Sequence, residues 1–271
     1  MKHRLQHWAS YVGGWQRFGA PYAAARTDRT TCVLVNGVPK SGTGLLRQLI
    51  EHAGRWVDVG VCINASNTVE HGVVHLGRAH WSLGRAHWSL GRVLDGQYAV
   101  GHVPYSWAAA RRLESPAAER HYRHVLIYRD PRDALISWMR WQPDLMEDYK
   151  DPVQRLTEAI LRRRTYPTAR YAQWLTRPGV LGLRFANLYG ELCAGAIGPS
   201  LQSLYRFLEL DVPDGGPLAE AVLGAGPTAT PIAAKVGQWR RVMTTYHIAL
   251  LRGSPEFTAG MRAFGYTWED S

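Results

Sequence analysis

Thr31-Cys-Val-Leu-Val-Asn-Gly-Val-Pro-Lys-Ser-Gly-Thr-Gly-Leu-Leu46 decides the fold. Cys32 to Val35 is a β-branched and apolar run that reads as a buried strand. Gly37 to Gly44 is a turn punctuated by glycine and proline. Leu45, Leu46, Leu49 and Ile50 then recur at helical spacing, which predicts a helix ending near Gly54. A strand, a glycine loop and a helix gather backbone N–H groups at a helix N-terminus and point them at an anion. Lys40 adds a full positive charge there, and Ser41 and Thr43 add hydroxyls. The loop is built for phosphate or sulfate.

The order of residues narrows the anion. The nucleoside triphosphate loop reads G-x-x-x-x-G-K-[ST]; here Lys40 precedes Gly42, and Gly42 rather than lysine stands before Thr43. The run Pro39-Lys40-Ser41-Gly42-Thr43-Gly44 resembles the 5′-phosphosulfate loop of the sulfotransferases that use 3′-phosphoadenosine 5′-phosphosulfate (PAPS). The tryptophan usual after that motif is replaced by Leu45, so adenine packing must differ.

With 271 residues the chain is long enough for one large core, and no apolar run approaches the ~18 residues of a membrane span. The three cysteines, Cys32, Cys62 and Cys193, are dispersed and make no metal-ligand spacing, which leads us to expect reduced thiols, a cytoplasmic protein and no metal. A formal charge of +10, carried almost wholly by arginine, points to anionic partners.

A second motif is His124-Val-Leu-Ile-Tyr-Arg129-Asp-Pro-Arg-Asp-Ala-Leu-Ile-Ser137-Trp. Val125 to Tyr128 reads as a strand, Asp130-Pro131 as a turn and Ala134 onward as a helix. Arg129 and Ser137, eight residues apart, can fold toward one phosphate, the guanidinium by a bidentate fork. The pair resembles the 3′-phosphate signature of the same family. Tyr98-Ala-Val-Gly-His102-Val-Pro104 reads as a short strand whose last residue lies at the sheet edge where ligands of open α/β sheets bind. Gly-His102-Val-Pro is similar to the Thr-His-Leu-Pro segment that carries the catalytic base in cytosolic sulfotransferases.

Lys235-Val-Gly237-Gln-Trp239-Arg240-Arg resembles the family's cofactor-closing Gly-x-x-Gly-Asp-Trp-Lys segment, with Ile232-Ala-Ala234 where Arg-Lys-Gly is usual. Lys235 or Arg240 is expected to supply the missing charge. Val180 to Phe185 reads as a further strand. Phe185-Ala-Asn-Leu188 replaces the family's Tyr-Glu-Asp-Leu, so no site residue is carried over from it. Val153, Leu156, Ile160, Leu161 and Tyr171 suggest one or two helices interrupted near Pro167, with Arg162-Arg-Arg164 as a solvated face.

The resemblance spans about residues 31–266 and implies a P-loop-type α/β fold: a mostly parallel sheet with helices on both faces, one sulfotransferase domain over 1–271. Residues 1–30 would be an N-terminal arm, 66–96 an acceptor-side loop or lid bearing a Gly-Arg-Ala-His-Trp-Ser repeat, and 225–245 a cofactor-covering segment. Lys40 and His102 are the expected catalytic residues. PAPS, released as PAP, is the expected donor, and a hydroxyl (or, second, an amine) of a carbohydrate or natural product is the acceptor, with no nucleic acid and no membrane span. Two rivals are a P-loop kinase, disfavoured because Arg129 ends the strand where a magnesium-binding aspartate is wanted, and a non-catalytic binder of nucleic acid or acidic glycan.

Overall fold

In the computed structural model, which describes residues 31–64, 93, 95–114, 121–224 and 236–269, a five-stranded sheet is wholly parallel. The strands are β1 (Thr31–Gly37), β2 (Val57–Asn64), β3 (Gln97–His102), β4 (His121–Tyr128) and β5 (Val180–Arg184), in the order β2-β3-β1-β4-β5. The N-terminal arm, the repeat and residues 225–235, Lys235 among them, lie outside the described residues.

Parallel strands need helical crossovers, which cover both faces and make the strands apolar on both sides. Successive residues of β1 divide accordingly. Cys32 and Leu34 enter one core, Val33 and Val35 the other. Helix α1 (Thr43–His52) packs on the second face through Leu45, Leu46, Leu49 and Ile50. On the first face lie α2 (Trp107–Glu114), α3 (Pro131–Trp141) and, beyond the short α4 (Pro143–Asp148), α5 (Pro152–Arg163). The break near Pro167 separates α5 from α6 (Thr168–Ala172). Of the apolar positions read on this stretch, Leu156, Ile160 and Tyr171 are buried, whereas Val153 and Leu161 face solvent.

Phe185 is not the last residue of β5. It opens α7 (Phe185–Cys193), which joins α8 (Pro199–Phe207) and α9 (Gly215–Gly224) on the α1 face. The chain closes with α10 (Trp239–Val242), α11 (Thr245–Arg252) and α12 (Pro255–Ala263). No helix among the described residues is long and apolar enough to cross a membrane.

From β1 the chain moves toward β2, and from β4 toward β5, so the strand order reverses between these neighbours. Gly37 pairs in register with Ile127 there, and the loops after both strands leave from one edge. Such a switch point is where an open α/β sheet forms its ligand crevice.

Asn36 fixes the geometry of that edge. Its Nδ2 donates to the Val103 carbonyl at 2.9 Å, and its Oδ1 accepts from Val103 N at 2.8 Å and Gly37 N at 2.9 Å. The second Nδ2 proton points at His124 Nε2, 3.0 Å away, so that nitrogen accepts and Nδ1 carries the ring proton. Burial without a compensating charge pushes His124 down to about 3. The unfolded chain therefore binds one more proton than the native state between pH ~6.5 and ~3, and stability falls on acidification across that window by about 1.4 kcal/mol per pH unit for this group. Urea unfolding of His124→Gln, which keeps an acceptor for Asn36, is expected to show a correspondingly flatter pH dependence.

Candidate active site at the reversal of strand order

The loop between β1 and α1 turns through two left-handed residues, Lys40 at φ 70° and Gly42 at φ 114°. Glycine is required at the second, where a Cβ would come within 2.4 Å of the Phe185 ring. Lysine in the left-handed region is strained, and such strain persists where surrounding structure holds it. Leu46 N–H is the first to bond back into α1, onto Gly42 O at 3.1 Å. The N–H groups of Thr43, Gly44 and Leu45 have no intrahelical partner and carry the positive end of the helix dipole. A Cβ at Gly44 would meet nothing within 4 Å, so this first turn faces open space.

Ser41 departs from expectation. Its hydroxyl, fully buried, donates to the Ile127 carbonyl at 2.9 Å, and its N–H donates to Val38 O at 3.0 Å. The hydroxyl fastens the loop to β4 and the N–H closes the turn on Val38, leaving Ser41 no donor for an anion. Lys40, half-buried, lies 5.2 Å from the centroid of the Trp141 ring, and burial lowers its pKa.

Arg129 follows β4 directly and is 5% exposed. Its guanidinium sits 4.9 Å over Phe185, the ring that Gly42 also abuts, so Phe185 joins the two loops. Asp133 Oδ2 is 3.8 Å from Arg129 Nη2, and Arg140 is near enough to oppose its charge. Burial is the main influence and lowers the Arg129 pKa, against the pull of Asp133 and Asp130. Ser137 is half-buried one helical turn beyond Asp133, on the same face of α3.

Asp133 also holds the C-terminal segment. Its carboxylate accepts from Gly237 N at 2.7 Å and Trp239 N at 3.0 Å. Trp239 is buried with its ring 3.7 Å from the fully buried Arg132 guanidinium, which Asp130 anchors at 2.8 Å. Gly237 and Trp239 thus contribute closure, their N–H groups and ring being engaged within the protein. Arg240 folds back to 4.8 Å over Trp239. Among the described residues, Arg140 of α3, which donates to Gln238 Oε1 at 2.5 Å, is a further cation near enough to act on Arg129. Sequence reading passed over it, although its place one turn after Ser137 was a usable signal.

His102, the last residue of β3, turns its ring to the loop. Nδ1 lies 2.8 Å from the Gly37 carbonyl, which can only accept, so Nδ1 bears the proton and Nε2 the lone pair. Burial lowers the His102 pKa, and the nearby cations Arg163 and Lys40 lower it further against the Gly37 bond. A neutral imidazole whose Nε2 keeps its lone pair is a proton acceptor. Tyr171 Oη donates to the His102 carbonyl at 3.1 Å and steadies the strand end.

These features place two loops and a neutral histidine at one edge of a parallel sheet with helices on both faces, a P-loop-type α/β fold shared with solved sulfotransferase structures. The chain is similar to mouse sulfotransferase SULT7A1 complexed with PAP, at a TM-score of 0.54 and 15% identity, covering 91% of this chain and 88% of that one. It is similar also to retinol dehydratase in complex with androsterone and inactive cofactor PAP, at a TM-score of 0.57 and 15% identity over 94% and 88% of the two chains. At these identities the likeness establishes the fold. No family model and no curated protein sequence matches the chain.

Proposed function

We propose that the protein is a PAPS-dependent sulfotransferase acting on a hydroxyl of a carbohydrate or natural-product acceptor. The observation that carries this reading is that the Lys40 loop, through Gly42, and Arg129 both meet the ring of Phe185, which supports one site for the two ends of a doubly anionic nucleotide. PAPS would supply a sulfuryl group: the acceptor oxygen bonds to sulfur as the sulfur–phosphate oxygen bond breaks, leaving PAP.

Lys40 and the N–H groups of Thr43, Gly44 and Leu45 face the position where charge builds on the leaving 5′-phosphate, and they are already oriented for it. His102 Nε2 takes the acceptor's proton. Arg129, with Ser137 beside it and Arg140 replacing the usual Arg-Lys-Gly charge, holds the 3′-phosphate. The hydroxyl of Ser41 keeps the loop in shape, and Asp133 seats the 237–239 backbone over α3. The domain reading follows: one sulfotransferase domain, with 66–96 on the acceptor side and 225–245 covering the nucleotide.

Calorimetry with PAP and a labelled-sulfate screen of hydroxyl acceptors test the proposal. Saturable PAP binding and transfer of label are expected, with no turnover of ATP. Absence of PAP binding, or ATP hydrolysis in its place, overturns it.

A further inference from the structure

The run Arg162-Arg-Arg164, read from sequence as a solvated face, is divided by the fold. Arg162 points outward to Glu158 and Asp144. Arg163 continues the buried stripe of α5, seven residues after Leu156, and turns inward. Its guanidinium lies 3.7 Å from the Tyr166 ring centroid and 4.8 Å from that of Trp138. No carboxylate pairs with it among the described residues, where Arg162, Arg177 and Arg132 each have one. The Tyr166 and Trp138 rings, Tyr171 and a hydrogen bond to Tyr166 work against its desolvation, and burial nonetheless lowers its pKa.

This guanidinium lines a small cleft that opens to solvent. Val38 and Pro39, the residues that lead into Lys40, form one wall, and Trp138, Tyr166 and Thr168 form the others. The pocket therefore begins where the nucleotide loop begins. Two of its lining residues are linked to His102: Arg163, like Lys40, acts on the His102 charge, and Tyr166 Oη meets Tyr171 Oη at 2.7 Å, which in turn donates to the His102 carbonyl. A half-buried cation flanked by two aromatic faces suits a planar anion that brings an apolar or sugar ring with it. An uncharged acceptor would leave that cation without an anion, a condition disfavoured in a desolvated pocket.

We infer that this pocket is the acceptor site and that Arg163 selects acceptors carrying a carboxylate or sulfate ester beside the hydroxyl to be sulfated. The inference rests on the sulfotransferase reading above and adds the class of acceptor. Calorimetry with the full chain saturated with PAP separates the two. Phenyl β-D-glucuronide is compared with phenyl β-D-glucoside, and 4-hydroxyphenylacetate with its amide. The anionic member of each pair is expected to bind about 10- to 100-fold more tightly, the range for a charge-assisted contact of about 1.4–2.8 kcal/mol. Arg163→Gln is expected to erase the difference while PAP binds as before, and Arg163→Lys to retain part of it. PAP binding with no preference for the anionic members, or with binding of no probe at all, overturns the acceptor assignment alone. A preference that survives Arg163→Gln with PAP affinity intact overturns Arg163's role. Failure of wild-type protein to bind PAP removes the sulfotransferase reading and this inference with it.

Discussion

Replacing His102 by asparagine is expected to reduce kcat about 10²–10⁴-fold while PAP affinity is preserved, the range lost when a positioned general base is removed. Asparagine is the informative change because its amide nitrogen falls near the place of Nδ1 and can still donate to the Gly37 carbonyl, which His102 now engages at 2.8 Å. The loop tie survives, and only the lone pair of Nε2 disappears. The pH profile of the wild-type enzyme carries the second half of this prediction. The base works as the neutral imidazole, so activity rises with pH through the folded pKa. Burial and the charges of Arg163 and Lys40 place that pKa below the usual histidine value, so the acid limb of kcat/KM should lie below pH ~6.5 and be absent in the variant. A limb centred above neutrality, or a His102→Asn enzyme with unchanged kcat, would exclude His102 as the base.

The second large effect concerns Arg129. Arg129→Met is expected to weaken PAP binding by about 30- to 1,000-fold, the 2–4 kcal/mol typical of truncating one member of a buried charge-assisted contact. The loss should be specific to one end of the nucleotide. Adenosine 5′-phosphate lacks the 3′-phosphate, so its affinity should be nearly the same in wild type and variant, and the variant should bind the two nucleotides alike. Asp133 keeps its two N–H donors at Gly237 and Trp239 when the guanidinium is gone, which offsets part of the loss of its charge partner. Equal weakening toward both nucleotides in calorimetry would place Arg129 at the wrong end of the ligand, or outside the site.

Much of this site is legible in the chain because it is local. The strand, loop and helix around Lys40 announce themselves through an apolar run, a positive-φ glycine and helical spacing within sixteen residues, Thr31 to Leu46. Arg129 and Ser137 follow from the same logic on β4 and α3, and His102 from the proline that ends β3. The misreadings share a different origin. Phe185, taken for a strand residue, opens α7 and touches both the loop after β1 and Arg129 after β4, a role set by what packs on it from Gly42 and Arg129. Arg163 was grouped with its neighbours by charge, although helical phase places it on the stripe of Leu156 and Ile160. Arg140 was overlooked because its meaning depends on Gln238, 98 residues away.

The sequence by itself determined the alternation of strands with helices, the turns after β1 and β4 and the histidine at the sheet edge, because backbone preference and apolar period act over a few residues. Only the tertiary structure decided which polar groups remain available. Ser41 and Ile127 are 86 residues apart, yet their hydrogen bond takes the proton that the motif reserved for an anion. Lys40, His102 and Arg163 come from three separate segments, and their mutual electrostatics exist only once the sheet has brought those segments together. Hydrogen-bond satisfaction and desolvation belong to the neighbours a side chain meets, and neighbours are chosen by the fold.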